Sequence, residues 1–156
     1  MTESNIQNAE RLPFESYPYQ GMELLGRVRG SNCRYGYGLK FMQLTGQTKC
    51  AYCGIDLTAN YNTWLTMALD HVVPLNTKKL WGLPEEWLED YTNRVLCCTA
   101  CNNFDNHYTP KDFQCPSTLE EFFHVRDAIF VERRRRIQDR HKQELAFFNQ
   151  QPWNKS

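Results

Sequence analysis

Apolar positions in this chain fall in short runs broken by glycine, proline and polar clusters, until the last quarter, where they become periodic. Leu119, Phe122, Phe123, Ile129, Phe130 and Ile137 recur at approximately helical spacing and predict one long C-terminal helix. Ser117 and Glu120 stand at capping-box spacing and mark its expected start. Upstream, residues 64–73 are apolar and partly β-branched, short enough for a strand, and end at Pro74. Residues 94–98 form a second short apolar run, the expected partner for 67–73. A helix starting at or just after Thr99 would carry Asn102 and Asn106, four apart, on one face. Residues 75–92 then read as an insertion, with Pro84 in the first turn of a small helix over 85–91 and Trp81, Trp87 and Leu88 pinning it to the body. Residues 39–44 suggest a helical turn or two. The first 20 residues, interrupted by Pro13 and Pro18, read as a loosely held arm, and 147–156 as a frayed tail.

The expected class is therefore α+β: a small two-stranded core flanked by helices, one of them long. At 156 residues the chain is the size of a single domain, with a motif-bearing centre at 47–107 between extensions at 1–46 and 108–156. Apolar residues are only 41% but aromatics reach 13%, so the core should be aromatic-rich and helped by a metal. No apolar run is long enough to span a membrane and no secretory pattern opens the chain, which points to a cytoplasmic setting without a membrane partner. Seven cysteines, an odd number with four in metal-type pairs, fit a reducing compartment better than a disulfide framework.

Net charge is zero, but its distribution is uneven. Residues 51–116 carry four Lys/Arg against eight Asp/Glu, whereas 117–156 carry eight against six. Between Glu23 and Asp56 there is no acid, while Arg27, Arg29, Arg34, Lys40 and Lys49 all lie there. A basic flank beside an acidic centre suits a phosphate polymer; a solvated surface with uneven charge is the plain alternative. Arg34, Tyr35 and Tyr37 sit among glycines, where they can contact a sugar–phosphate backbone and stack a base, or simply pack as a turn. The run Arg133–Arg136 reads either as solvated or salt-bridged surface or as phosphate contact.

Two C-x-x-C pairs, Cys50/Cys53 and Cys98/Cys101, flank 44 residues and can supply four thiolates to one structural Zn²⁺. Cys33, Cys97 and Cys115 have no partner in spacing and read as ordinary thiols. Inside the closed loop lies Asp70-His71, a hard oxygen donor beside a group that can take a proton from water near neutral pH. On a regular strand the two would point to opposite sides, unless the chain bends towards Pro74.

In this order and spacing, Cys50-x-x-Cys53, Asp70-His71-Val72-Val73-Pro74, Asn93-Arg94-Val95-Leu96 and Cys98-x-x-Cys101-Asn102 resemble the HNH endonuclease family. The resemblance implies a ββα-metal fold with a structural zinc and metal-dependent hydrolysis of DNA, with RNA left open as substrate. It implies His71 as general base, Asp70 and Asn102 as ligands to a catalytic Mg²⁺ or Mn²⁺, and Asn93 as the brace of the loop that orients His71. Arg27, Arg29, Arg34 and Arg94 are the candidate nucleic-acid contacts. Two departures stand out: the His71-to-Asn93 step is long, and Asn106, beside His107, stands where some relatives place a further histidine. Two other readings stay open, a non-catalytic zinc module that binds nucleic acid and a zinc-stabilised protein-interaction domain.

Overall fold

The computed structural model describes residues 12–17, 20–25 and 33–154. Its centre is an antiparallel pair, β1 (Met67–His71) and β2 (Arg94–Cys98), in register from Met67 opposite Cys98 to His71 opposite Arg94. In chain order the helices are α1 (Tyr37–Thr45), α2 (Tyr61–Trp64), α3 (Thr77–Trp81), α4 (Glu85–Leu88), α5 (Thr99–Phe104) and α6 (Leu119–Asn149). The architecture is mixed α+β, with a small two-stranded sheet and a long C-terminal helix. No described helix is long and apolar enough to cross a membrane.

β2 coincides with the apolar run that predicts it, but β1 starts three residues later than expected. Asn60 is the cause: its Oδ1 accepts from the Thr63 amide at 3.0 Å and its carbonyl accepts from the Trp64 amide at 3.0 Å. That cap turns 61–64 into one helical turn, so Trp64 cannot join the strand.

The connection between the strands carries α3 and α4, and a single buried amide closes its neck. The Asn93 carbonyl accepts from the Val72 amide at 2.8 Å. The Asn93 side chain accepts from the Val73 amide and donates to the carbonyls of Val73 and Leu88, each at 3.0 Å. The small helix stops at Leu88 rather than 91 because Asp90 caps a separate 3-10 turn, Tyr91–Asn93, accepting from the Thr92 amide at 3.0 Å. Leu88 is buried as expected, and Trp87 packs against Phe122 with ring centres 5.6 Å apart.

The long helix begins one residue later than the Ser117–Glu120 spacing suggests. Thr118 Oγ1 accepts from the Glu121 amide at 3.1 Å, while Glu121 accepts from the Ser117 amide at 2.7 Å and hydroxyl at 2.9 Å. Ser117 spends both donors on that carboxylate and so precedes the cap. At 31 residues α6 is about 46 Å long. Its buried face is Phe122, Arg126, Ile129, Phe130, Arg133 and Ile137, an apolar stripe containing two arginines. The end is not frayed up to Asn154: the helix runs to Asn149, a turn follows at Pro152–Asn154, and Trp153 packs on Phe148 with ring centres 5.8 Å apart.

The core is aromatic, as the composition implies. Phe130 stacks on Tyr52 at 5.4 Å and meets Phe14 edge-on at 5.5 Å. Phe14 thus ties Pro13–Ser16 to the body, so this part of the expected loose arm is anchored; residues 1–11 lie outside the described residues.

Removing three buried hydrogen bonds through Asn93→Ala should lower stability by about 3 kcal/mol. Urea denaturation followed by circular dichroism checks this, and a midpoint matching wild type would contradict the role given to this amide.

Candidate functional site

Two loops bring the four paired cysteines together. Cys50 lies in a turn fastened by two backbone bonds: its amide donates to Ile55 at 2.8 Å, and the Gly54 amide donates to the Cys50 carbonyl at 2.9 Å. Gly54 takes a left-handed φ of 80°, which a side chain would strain. The Ala51 amide donates to Leu96 at 2.8 Å and so joins this turn to β2. Cys98 ends β2 and Cys101 lies in α5. The four sulfurs lie within 4.8 Å of one another, a group that could hold a metal such as zinc. In each pair the first sulfur accepts from the amide of the second cysteine at 3.5 Å, an arrangement that favours thiolates. Hydrogen bonds from Cys101, then Cys53, pull the Cys50 thiol down to about 6, and Cys98 is lowered by Cys101, then Cys50. His141 Nε2 on α6 reaches Cys101 Sγ at 3.0 Å, a contact forty residues away in sequence with no local signal to announce it. Cys97 is buried with its thiol pushed well up by burial, Cys33 is likewise raised by burial, and Cys115 is exposed.

A cavity of about 280 Å³ opens at the far end of β1. Asp70, His71, Asn102, Asp105, Asn106 and Arg133 line it, so it joins the end of β1 to α5 and α6. The acid–histidine pair does not straddle an unbroken strand: His71 is the last residue of β1, and both residues border the cavity. Asp70 Oδ2 accepts from the Tyr52 hydroxyl at 2.6 Å and from Arg133 Nη1 at 2.7 Å. Burial first, then the Asp70 charge, hold the Tyr52 hydroxyl well above its ordinary pKa, which keeps it a donor.

Arg133 is the residue whose place is hardest to see from sequence. It belongs to the four-arginine run, yet its side chain is only 2% exposed. Nη1 also donates to the carbonyls of His71 at 2.8 Å and Val72 at 3.0 Å, and Nε donates to Asp105 at 3.3 Å. Arg136 donates to the other Asp105 oxygen at 2.9 and 3.0 Å. Arg133 is buried and not a surface charge, whereas Arg136, half exposed and paired with Asp105, is a salt-bridged surface residue, one of the two readings of the run. A signal does exist: Arg126 and Arg133 fall on the apolar stripe, seven residues apart and each flanked by core positions.

His71 Nε2 is buried and has no hydrogen-bond partner among the described residues. It lies 3.4 Å from Glu89 Oε1, short of an aligned hydrogen bond. The other Glu89 oxygen pairs with Arg94 Nη2 at 2.6 Å. Arg94 is therefore a correction to the expected nucleic-acid contacts: it is buried and spent on Glu89 because position 94 faces inward beside His71 across the sheet. Arg27 and Arg29 lie outside the described residues. Arg34 is described and sits near the start of β1, where Nη1 donates to the Leu65 carbonyl at 3.1 Å. Asn93 faces the loop neck, not the cavity. His107 is exposed and lines a neighbouring cavity with Lys111, Glu132 and Arg136.

Asp70 and Asn102 carry oxygen donors of the kind a hard cation takes. Asp70 Oδ1 and the Asn102 amide make no hydrogen bond among the described residues, and both residues line the cavity. Against this, Asp70 and Asp105 are already balanced by Arg133 and Arg136. No protein-family model, curated protein or solved structure matches the chain.

Elemental analysis should find one zinc per chain, lost in Cys98→Ser, and a strong chelator should lower the thermal midpoint by more than about 10 °C. The Glu89 carboxylate is held below its ordinary 4.5, first by His71 and then by Arg94, with burial opposing. A depressed acid contributes stability that is complete above its unfolded pKa and lost as pH falls through the folded one. The urea midpoints of wild type and Glu89→Gln should therefore converge as pH drops below about 4.5; a gap that persists at lower pH argues against the ion pair.

Proposed function

We propose that this protein is a metal-dependent endonuclease of the HNH type, hydrolysing phosphodiester bonds in DNA. The observation that carries the reading is the convergence of Asp70, His71 and Asn102 on one cavity at the junction of β1 with α5. The Asn93 bonds at the neck of the β1–β2 connection and the four-thiol group beside β2 and α5 add to it. Both agree with the order of motifs from which the resemblance was drawn.

His71 is the general base. A proton on Nε2, facing Glu89, leaves Nδ1 with its lone pair, the form that accepts a proton from water. Glu89 orients this tautomer and stabilises the imidazolium once the proton has moved, much as a carboxylate does in a hydrolytic triad. The water oxygen attacks phosphorus, its proton passes to His71, and the bond to the 3′ oxygen breaks, the departing oxygen taking a proton from solvent. The products are 5′-phosphate and 3′-hydroxyl ends. Asp70 and Asn102 would hold Mg²⁺ or Mn²⁺, which supplies Lewis-acid stabilisation of the phosphate and the departing oxygen. Arg133 fixes the Asp70 carboxylate and the carbonyls of His71 and Val72, and so sets where base and ligand stand relative to each other.

One observation favours the runner-up, a zinc module that binds nucleic acid without cutting it: the two cavity carboxylates are already neutralised by arginine. Nicking of supercoiled plasmid in Mg²⁺ or Mn²⁺ separates the two. Zinc-loaded wild type should nick, Asp70→Ala should not, and zinc-loaded His71→Ala should be slower by at least about a hundredfold. Equal gel retardation by wild type and His71→Ala, with no cleavage under any of these metals, would replace the enzyme with the binding module.

A further inference from the structure

Three aromatic side chains and an arginine gather near the start of β1, away from the cavity at its other end. Trp64 is the centre. Tyr35 meets it edge-on with ring centres 5.9 Å apart, and Tyr61 lies beside it at 6.2 Å with a tilt of 30°. The Arg34 guanidinium carbon sits 5.2 Å from the Trp64 ring centre and 5.8 Å from that of Tyr35. Clustered aromatics ordinarily gain by shedding water, yet Tyr35 remains 68% exposed and Tyr61 70% exposed.

The cluster is held in place by its backbone. Tyr61 and Trp64 stand three apart on the Asn60-capped turn, hence on one face. Gly38 packs so closely on Cys33 that an added Cβ would lie 2.4 Å from the Cys33 carbonyl oxygen, which fixes the short segment carrying Arg34 and Tyr35. Arg34 Nη1 donates to Leu65, whereas Arg34 Nε is buried and has no hydrogen-bond partner among the described residues. Exposed ring surface, held rigidly beside a guanidinium, is a ligand surface more than a core.

We propose that Tyr35, Tyr61 and Trp64, with Arg34, form a stacking platform for an unpaired base of DNA. The charge selects the ligand class. A cage for a quaternary ammonium needs aromatic faces without a competing cation, and Arg34 already occupies that role. A nucleotide offers what the cluster lacks, a flat ring for the tyrosines and a phosphate for the guanidinium. In a paired duplex the base faces are covered by their neighbours, so the partner base is unstacked or lies in a single strand. From Leu65 to His71 the chain spans at most roughly 20 Å, so the platform would engage a nucleotide within about six phosphates of the cavity. This proposal rests on the nucleic-acid reading above, but not on cleavage.

The test uses zinc-loaded His71→Ala without added Mg²⁺ or Mn²⁺, so that binding is read apart from cutting. A short single-stranded DNA should quench tryptophan fluorescence, and the quench should largely vanish in the added Trp64→Phe, which keeps a ring, while affinity is retained. Tyr35→Ala and Tyr61→Ala, at exposed positions, should each weaken single-strand binding about tenfold and leave duplex affinity within about twofold. Single-strand affinity unchanged by both tyrosine substitutions, or no single-strand binding, overturns the platform. Stronger quenching by a trimethyl-lysine peptide, or tighter binding of the matching RNA, overturns the assigned ligand. The two readings fail separately: plasmid nicking without single-strand binding removes the platform alone, and tyrosine-dependent binding without nicking removes only the nuclease.

Discussion

The cavity depends on one guanidinium. Arg133 arrives from the long helix and meets the carboxylate of Asp70, two consecutive carbonyls at the end of β1, and Asp105 just beyond α5. Burying an arginine is unfavourable unless nearly every donor is satisfied, and losing one partner of such an arrangement leaves the other charge stranded. The same group therefore aligns three elements at once. Tyr52 completes the ring of partners by donating to Asp70 from the cysteine turn, which links the cavity to the thiol group.

The thiol group and the helix reinforce each other from opposite ends of the sheet. Cys98 and Cys101 fix where β2 ends and α5 begins, and His141 brings α6 onto that junction. About one turn earlier on the same helix face, Ile137 is buried, and four residues before it stands Arg133. The helix is thus registered by polar contacts at Arg133 and His141 as well as by its apolar stripe. Apolar packing alone tolerates sliding; directional contacts to sulfur and carboxylate do not.

Some of this was plain in the residues and some was not, for identifiable reasons. Cysteine spacing announces the four-sulfur group because sulfur ligands need little context, and Asn93 lies next to β2, whose extent its apolar run gives. The start of β1 lies three residues beyond the expected one because one asparagine cap outweighs the strand propensity of Trp64 and its neighbours. Arg94 and Arg133 look like surface cations, since composition does not say which way a charge faces. For Arg133 the helical stripe does say so, once arginine is allowed a core position. Glu89, eighteen residues from His71, could be found only in three dimensions, as could His141 beside Cys101. Assignment to the HNH family remains part of the functional proposal.

The segment between the strands has the look of a decoration, a detour of two short helices where a tight turn would do. Yet Leu88 supplies a carbonyl to the Asn93 amide, and Glu89 stands against both His71 and Arg94. Trimming this detour to a hairpin would keep the strands paired while removing the only carboxylate that faces the histidine ring among the described residues. Length variation here is therefore not neutral, and a shorter loop would have to bring its own acid to the same place.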